Sequence, residues 1–429
     1  MKRLIFMLML LFLTLIIAGC SGFAPNKEAS SDSTSASSDT DAETTITFLH
    51  RWPNEPYKTY YNEVIAEFEE QNPDINVEQT TALNDQYKQK VNVIMGGDTP
   101  PDVFFTWVGK SFGDKFINDD IALDISSYYE EDKEWSENIM AQEPFMKDGK
   151  HYGVPLYTDS KVFYYNKNIF DQYGLEAPET WDEFISTLQT LKDNGETPLM
   201  LGNKAPWAGS HYLTAVNQRM VSQEVVEQDY TTPEFTDPKY VEALEKIEEL
   251  SPYFNDSPNS VGHEEARNFF LNEAAGIMFM ETFEAPYLEE ASFEWGTFNF
   301  PSITEGEGSD SGIIGAPEGF MVSKKSENPD AAMKFLKFLT SQPMGEKLMK
   351  EVGMPSSVIG AVNEDTASEK EIELTNMIAE KEYILNWIDQ GIETTVSKPY
   401  MDGVQMLISG SKTPEEIMEQ VLAEAEKVE

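Results

Sequence analysis

Cysteine is almost absent from this 429-residue chain: Cys20 stands alone, so no disulfide can form within it. Histidine is nearly as scarce. His50, His151, His211 and His263 are scattered, and no His/Cys pair has the spacing of a zinc site. Basic residues are heavily outnumbered, 31 Lys and Arg against 76 Asp and Glu, for a formal net charge of −45. A polyanion of that size repels nucleic acid and anionic headgroups, which excludes nucleic-acid partners. Catalytic signatures are missing too. There is no G-x-S-x-G, and His263-Glu264-Glu265-Ala266-Arg267 begins like a zincin motif but lacks the second His. Gly306, Gly308 and Gly312 have the wrong spacing for a dinucleotide loop, and the Asp-rich stretches lack the calcium-loop pattern. Acids are so abundant that some carboxylate pair always resembles a hydrolase dyad, so such pairing carries no information. No internal repeat of about 20 to 50 residues is present.

What is present suits a large soluble body. Hydrophobic residues make up 40% and charged residues 25%, an ordinary globular balance, and the length suits two lobes or one large fold. With 25 Phe, 18 Tyr and 7 Trp, the chain can fill a core and still spare rings for a ligand surface.

The N-terminus reads as a processing segment. Lys2 and Arg3 precede an apolar run, Leu4 to Ile17, shorter than the roughly 20 residues that span a bilayer. Ile17-Ala18-Gly19-Cys20 resembles a bacterial lipobox. By that resemblance residues 1–19 are a lipoprotein signal peptide and Cys20 is lipidated, with two or three acyl chains giving stable anchoring. Residues 20–44, rich in Ser, Thr and Asp, hold almost no large apolar side chain and read as a flexible tether.

Beyond the tether, Thr45–Leu49 alternates and is β-branched, which predicts a strand. Tyr60, Tyr61, Val64, Ile65 and Phe68 follow at helical spacing, stopped by Asn72-Pro73. A strand at Ile75–Gln79, a helix marked by Tyr87, Val91, Ile94 and Met95, and a strand at Pro101–Phe105 complete a strand–helix–strand–helix–strand order. That order predicts an α/β fold with a largely parallel sheet. Further on, Val162–Tyr165, Gly276–Met280 and Gly319–Ser323 read as strands, and Thr180 with Glu183 forms a capping box ahead of a helix. Asn328-Pro329 opens another helix, and the tail from Pro355 reads as mostly helical.

Several segments then arrive in a telling order. They include Phe68-Glu69-Glu70-Gln71-Asn72-Pro73, Pro101-Asp102-Val103-Phe104, Asp148-Gly149-Lys150-His151-Tyr152-Gly153-Val154-Pro155 and Phe163-Tyr164-Tyr165-Asn166-Lys167. Pro178-Glu179-Thr180-Trp181-Asp182-Glu183-Phe184, Phe270 to Met278 and Asn328 to Leu336 follow. Each is weak alone. In this order, behind a lipobox, they resemble the extracellular solute-binding proteins of ABC sugar importers, the family of maltodextrin- and raffinose-type binders. The resemblance implies an α/β, two-lobed periplasmic-binding-protein-like fold with a hinge and an interlobe ligand cleft. It implies one lobe from 45–155 and 310–352 and another from 156–309 and 353–429.

Sugars offer flat C–H faces and a rim of hydroxyls, so aromatic rings and charged or amide groups near strand ends become candidate contacts. His50, Arg51, Trp52 and Glu55 lie in the loop after the first strand, which the family uses for its ligand. Trp107 and Lys110 follow the third strand. Asp159 stands where the family commonly places a ligand-bonding acid, and Trp207 lies in a Pro/Gly-rich loop suited to a pocket floor. Glu281 and Phe283 follow the strand at Gly276–Met280, and many relatives carry Trp where Phe283 stands. Glu318 and Tyr400 complete the set, while Trp387 reads as core.

The resemblance therefore implies a monomer without cofactor, metal or catalytic residues. By the same resemblance it is expected to bind a carbohydrate, an oligosaccharide, and to pass it to the permease subunits of an ABC importer, touching the membrane only through Cys20. A secreted carbohydrate-active hydrolase or lyase is the alternative of another class. A same-fold binder of a non-sugar solute is the narrower one, and Arg51, Lys110 and Lys161 leave an acidic ligand open.

Overall fold

The computed structural model describes residues 44–381 and 383–428. The expected signal peptide, Cys20 as an expected lipidation site and the expected tether up to residue 43 lie outside the described residues. No helix among the described residues is long and apolar enough to cross a membrane.

The strands in chain order are β1 (Thr44–His50), β2 (Ile75–Thr81), β3 (Val103–Trp107), β4 (Met146–Lys147), β5 (Lys150–His151) and β6 (Gly153–Asn166). They continue with β7 (Leu199–Met200), β8 (Ile277–Glu281), β9 (Trp295–Phe298), β10 (Ile313–Val322) and β11 (Ile384–Leu385). Helix Tyr57–Gln71 joins β1 to β2 and helix Asn84–Met95 joins β2 to β3, so β2, β1 and β3 lie side by side and parallel. The helices are held by one apolar face each. Tyr57, Tyr60, Tyr61, Val64, Ile65 and Phe68 are buried on the first, and Tyr87, Val91 and Met95, one turn apart, on the second.

Elsewhere parallel pairing is confined to β7 with β8 and β10 with β11. The full order is β2-β1-β3-β10-β6-β8-β7, with β11 on β10 and β9 on β6. β10 runs antiparallel to both β3 and β6, and β6 antiparallel to β8 and β9. The sheet is therefore mixed. β10 re-enters from the other half of the chain and runs against both of its neighbours there.

Two long strands connect the halves. The first part of β6 pairs with β10, Gly153 opposite Met321, whereas Lys161 to Tyr165 pair with Glu281 to Ile277 of β8. β10 in turn pairs Glu318 to Val322 with β3 and Ile313-Ile314 with β11. The β6–β10 register slips between Glu318 and Gly319, a bulge where the strands pass from one half to the other.

The capping box at Thr180 forms, its hydroxyl accepting from Glu183 N while Glu183 caps back, and helix Trp181–Asp193 follows. Helix Pro329–Leu339 opens after Asn328, and the tail carries helices Glu369–Ala379, Thr394–Ile408 and Pro414–Ala425. One residue read as loop is helical: Trp207 opens the buried helix Trp207–Met220. Two residues read as flanking their strands lie inside them. Glu281 ends β8 opposite Lys161, and Glu318 sits within β10 opposite both Trp107 and Tyr157. Pairing with a neighbouring strand extends each strand past the end of its apolar run.

Candidate functional site

The chain leaves β1 at His50 and places Arg51 at the junction of the halves. Its guanidinium is buried. Nη2 donates to Glu318 Oε2 at 2.8 Å and to the Tyr157 hydroxyl, which also donates to Glu318. Nη1 donates to Asn84 Oδ1 at 2.9 Å, at the start of helix Asn84–Met95. Phe283, from the other half, lies flat beneath it with its ring 4.0 Å from Cζ. Trp52, Phe105 and Trp107 lie within 5.5 Å on other sides. Burial pushes the Glu318 carboxyl up, an effect that Arg51 opposes.

Opposite this group runs a buried chain of alternating charge. Lys88, one turn along from Asn84, donates to Asp389 Oδ2 at 2.6 Å. Asp389 Oδ1 stands 3.1 Å from His211 Nε2. His211 Nδ1 lies 3.2 Å from Lys161 Nζ, and both face Glu281 Oε1, at 3.3 and 3.2 Å. Burial and Lys161 hold His211 below its ordinary pKa. Asp389 and Glu281, one at each ring nitrogen, oppose that shift. His263 continues the chain, bonded to Glu284 Oε2 at 2.7 Å and lying 3.4 Å from Glu281 Oε2, and Arg267 donates to Glu284 Oε1 at 2.7 Å. Burial opposes charge on His263, but Glu284 and Glu281 outweigh it and raise its pKa. The same balance works on Glu281. Burial pushes it up, while Lys161, His211 and His263 together hold it well below the usual carboxylate range.

His263, Glu281 and Glu284 bring ligand atoms within 4.8 Å of one another, the spacing of a metal site. A cation there would have to displace the His263 proton and compete with Lys161 and Arg267, both already bonded to these carboxylates. The donor set is satisfied by internal ion pairs instead.

Asp159 differs from its neighbours. Its Oδ1 accepts from the Thr282 hydroxyl at 2.8 Å and from the backbone N–H of Ser160 and Phe283. Its Oδ2 is buried with no hydrogen-bond partner. Burial, then the like charges of Glu318 and Glu281, push this carboxyl well up, with Arg51 opposing. Trp52 Nε1 and Arg51 Nε are likewise buried and without a hydrogen-bond partner. Three unused donors and acceptors beside aromatic faces are what hydroxyl-rich, C–H-faced molecules require.

Two cavities meet here, sharing Asp85 and Trp207. The inner recess, between Arg51, Trp52 and Phe283 on one side and His263, Arg267 and Tyr287 on the other, holds about 20 Å³. The outer one, about 600 Å³, is lined by Lys88, Gln89, Phe112, Pro206 and Met401. The Trp207 indole N–H donates to Asp85 Oδ1 at 2.8 Å between them. Admitting a ring into the inner recess requires Arg51 and Phe283 to part.

Of the twelve candidate contacts, the fold gathers Arg51, Trp52, Trp107, Asp159, Trp207, Glu281, Phe283 and Glu318 at this junction. It does not gather the other four. His50 is sandwiched behind Trp52 between Phe48 and Tyr61, with ring centroids at 4.7 and 4.3 Å, and burial lowers its pKa to about 4. Glu55 is exposed and accepts from Thr59 N in the first turn of its helix. Lys110 pairs with Glu393 at 2.8 Å, and Tyr400 is buried edge-on against Phe235 in the packing of the C-terminal helices. Trp387, read as core, is buried and stacks on His211 with centroids 5.1 Å apart.

Sequence reasoning missed Asn84, Asp85 and Lys88, although they follow β2 directly and the strand-end rule that selected Arg51 applies to them. It missed Tyr157, two residues before Asp159. It dismissed His263 and Arg267 with the failed zincin motif, although their i,i+4 spacing puts both on one helix face. Asp389 gave no local signal.

The chain is similar to characterised proteins over most of its length. It is 25% identical over 346 residues to the multiple sugar-binding protein of Streptococcus mutans, covering 76% of this chain and 78% of that one. A solved structure from work on xylan utilization by the thermophilic bacterium Caldanaerobius polysaccharolyticus superposes with a TM-score of 0.84 at 24% identity, covering 90% of this chain and 100% of the other. A chitin oligosaccharide binding protein superposes with a TM-score of 0.83 at 21% identity, covering 89% and 98%. These structures share the two-lobed fold. The bacterial extracellular solute-binding protein family matches residues 52–346, and this chain belongs to it.

Proposed function

We propose that this protein captures a carbohydrate, an oligosaccharide, outside the cell and passes it chemically unchanged to the permease subunits of an ABC importer. The observation that carries this reading is the set of buried polar atoms without a hydrogen-bond partner, Asp159 Oδ2, Trp52 Nε1 and Arg51 Nε, at the junction where Arg51 meets the rings of Trp52, Trp107 and Phe283. The name of the Streptococcus mutans relative supports it. No second reading has an observation of its own.

Capture would work by hinge closure about β6 and β10, between lobes spanning 45–155 with 310–352 and 156–309 with 353–429. Contacts from both lobes favour the closed state, and only the ligand's excess affinity for that state drives closure. Phe283 under Arg51, Trp207 on Asp85 and Lys88 on Asp389 are the contacts that closure makes. The protein would act as a monomer, held to the outer face of the membrane by lipid on Cys20.

The test is calorimetric titration against an oligosaccharide panel, with mass spectrometry of the recovered sugar. One-to-one binding with the sugar recovered intact supports the reading. Recovery of cleaved or unsaturated products would replace it with a hydrolase or lyase.

A further inference from the structure

A further cavity lies on the opposite face of the strands that join the halves. Tyr157 and Asp159 of β6 face the junction, and Thr158 between them points the other way, as alternation along a strand requires. Thr158 belongs to the wall of a cavity of about 390 Å³, within the range of small-molecule sites. One side of it is the segment 355–362, where Met140 N donates to Ser357 O at 2.8 Å and Ile359 N to Asn138 O at 2.9 Å. The other side is helix Glu369–Ala379, whose Leu374 and Ile378 pack with Val162, Met280 and Ile313.

The wall is mostly apolar, with Met140, Val358, Val362, Ile378 and Ile384. Seven large hydrophobic side chains are exposed among the described residues, and three of them gather here: Met140 and Ile384 on the wall, and Ile359 next to Val358. Apolar surface gathered around a concavity marks a binding site. No aromatic ring lines it, so nothing there stacks on the face of a sugar. Its charge is also unlike the rest of this acidic chain. The four other cavities described are each lined by carboxylates, whereas this wall has none and its one charged side chain is Lys381. Glu373 and Glu380 lie in an adjoining groove that Lys381 also borders, outside this wall. The Ser357 hydroxyl is buried on the wall without a hydrogen-bond partner. An apolar wall with one cation and one unused hydroxyl matches an alkyl chain that ends in a carboxylate.

We propose that this cavity is a second ligand site, for a free medium-chain alkyl carboxylate, with the tail on the apolar wall and the head on Lys381. Its occupancy tightens capture at the junction. Halves that close over one face of their connecting strands part on the opposite face, so a molecule filling this cavity favours the closed state. By linkage, a captured solute tightens carboxylate binding by the same factor. The coupling rests on the hinge-closure reading above, and the site itself does not.

The experiment titrates the full chain by calorimetry with hexanoate, octanoate, decanoate and decanol, below micelle-forming concentrations and at about 0.15 M salt, where the net negative charge is screened beyond about 8 Å. The expected result is saturable one-to-one binding that tightens by about fourfold per added methylene until the cavity is full, with decanol weaker than decanoate. Lys381→Met weakens decanoate several-fold and leaves decanol unaltered. Ala379→Phe, which fills the cavity from an exposed helix position, abolishes both, and melting curves check that each variant folds. Saturating decanoate then raises the affinity for whichever of maltotriose, raffinose and xylotriose binds by about threefold or more. Absence of saturable decanoate binding, or binding that Ala379→Phe leaves unchanged, overturns the site. Equal loss of decanoate and decanol in Lys381→Met overturns the head-group assignment. Unaltered saccharide affinity overturns the coupling and leaves the site standing. Binding of no saccharide overturns the capture reading, and the coupling falls with it.

Discussion

Replacing Arg51 with methionine tests whether the junction is as dry as its geometry implies. The substitution removes the donor at 2.8 Å from Glu318 Oε2 and the cation above Phe283, and leaves the Glu318 carboxyl buried with only the Tyr157 hydroxyl bonded to it. Breaking a buried pair from one side costs about 3–5 kcal/mol, because the remaining charge is uncompensated. The lost stacking adds about 0.5–2 kcal/mol, offset in part by methionine burial. At roughly 2 °C per kcal/mol for a chain of this size, the melting temperature should fall by about 6–10 °C. The deficit also has a pH signature. Burial already raises the Glu318 carboxyl, and loss of Arg51 removes the group that opposed this. A carboxyl whose folded pKa is raised contributes its stability at low pH and loses it as pH rises through the folded value. The variant's deficit should therefore be smaller at pH 5 than at pH 8, and adding Glu318→Gln should recover most of it. Urea unfolding at both pH values checks each point. A loss under about 1 kcal/mol, or one identical at pH 5 and pH 8, would mean that Glu318 is hydrated and the junction wet.

Asp159→Asn should raise the melting temperature at pH 7 while weakening sugar binding, because wild-type Asp159 loses stability as pH rises above the unfolded carboxyl range and asparagine does not. The thermal advantage should vanish near pH 4, which paired melting curves would show. Trp207→Phe keeps a ring on the cavity wall but deletes the bond to Asp85 at 2.8 Å, and should weaken binding by about 0.5–1.5 kcal/mol in titration. Asp389 is pulled down despite its burial, chiefly by Lys88, so its stability is present above the unfolded carboxyl range and is lost as pH falls. Asp389→Asn should accordingly destabilise at pH 7 and much less at pH 3, measured by urea unfolding.

Much of the fold is legible in the sequence because local forces set it. The apolar stripe from Tyr57 to Phe68, the break at Asn72-Pro73 and the capping box at Thr180 are decided within a turn or two of chain. Arg51 and Trp52 lie just past a strand, where α/β sheets place their ligands, so position in the pattern gives them away. Tyr400 and Glu55 lie away from the junction, which their local sequence does not announce. Aromatic and acidic identity alone does not separate a helix-packing tyrosine from a ligand contact, or a carboxylate serving a helix's first turn from a cleft acid.

Other properties exist only once distant segments meet. The direction of β10 follows from its return across the hinge, not from its own residues. Asp389 bonds Lys88 across 301 positions, and Glu318 bonds Arg51 across 267. Nothing in either neighbourhood announces the partner. The charge a ligand would feel is likewise a tertiary quantity. Composition counts acids and bases, but Coulomb energy depends on which of them lie within a few ångströms in a dry site, and folding alone decides that.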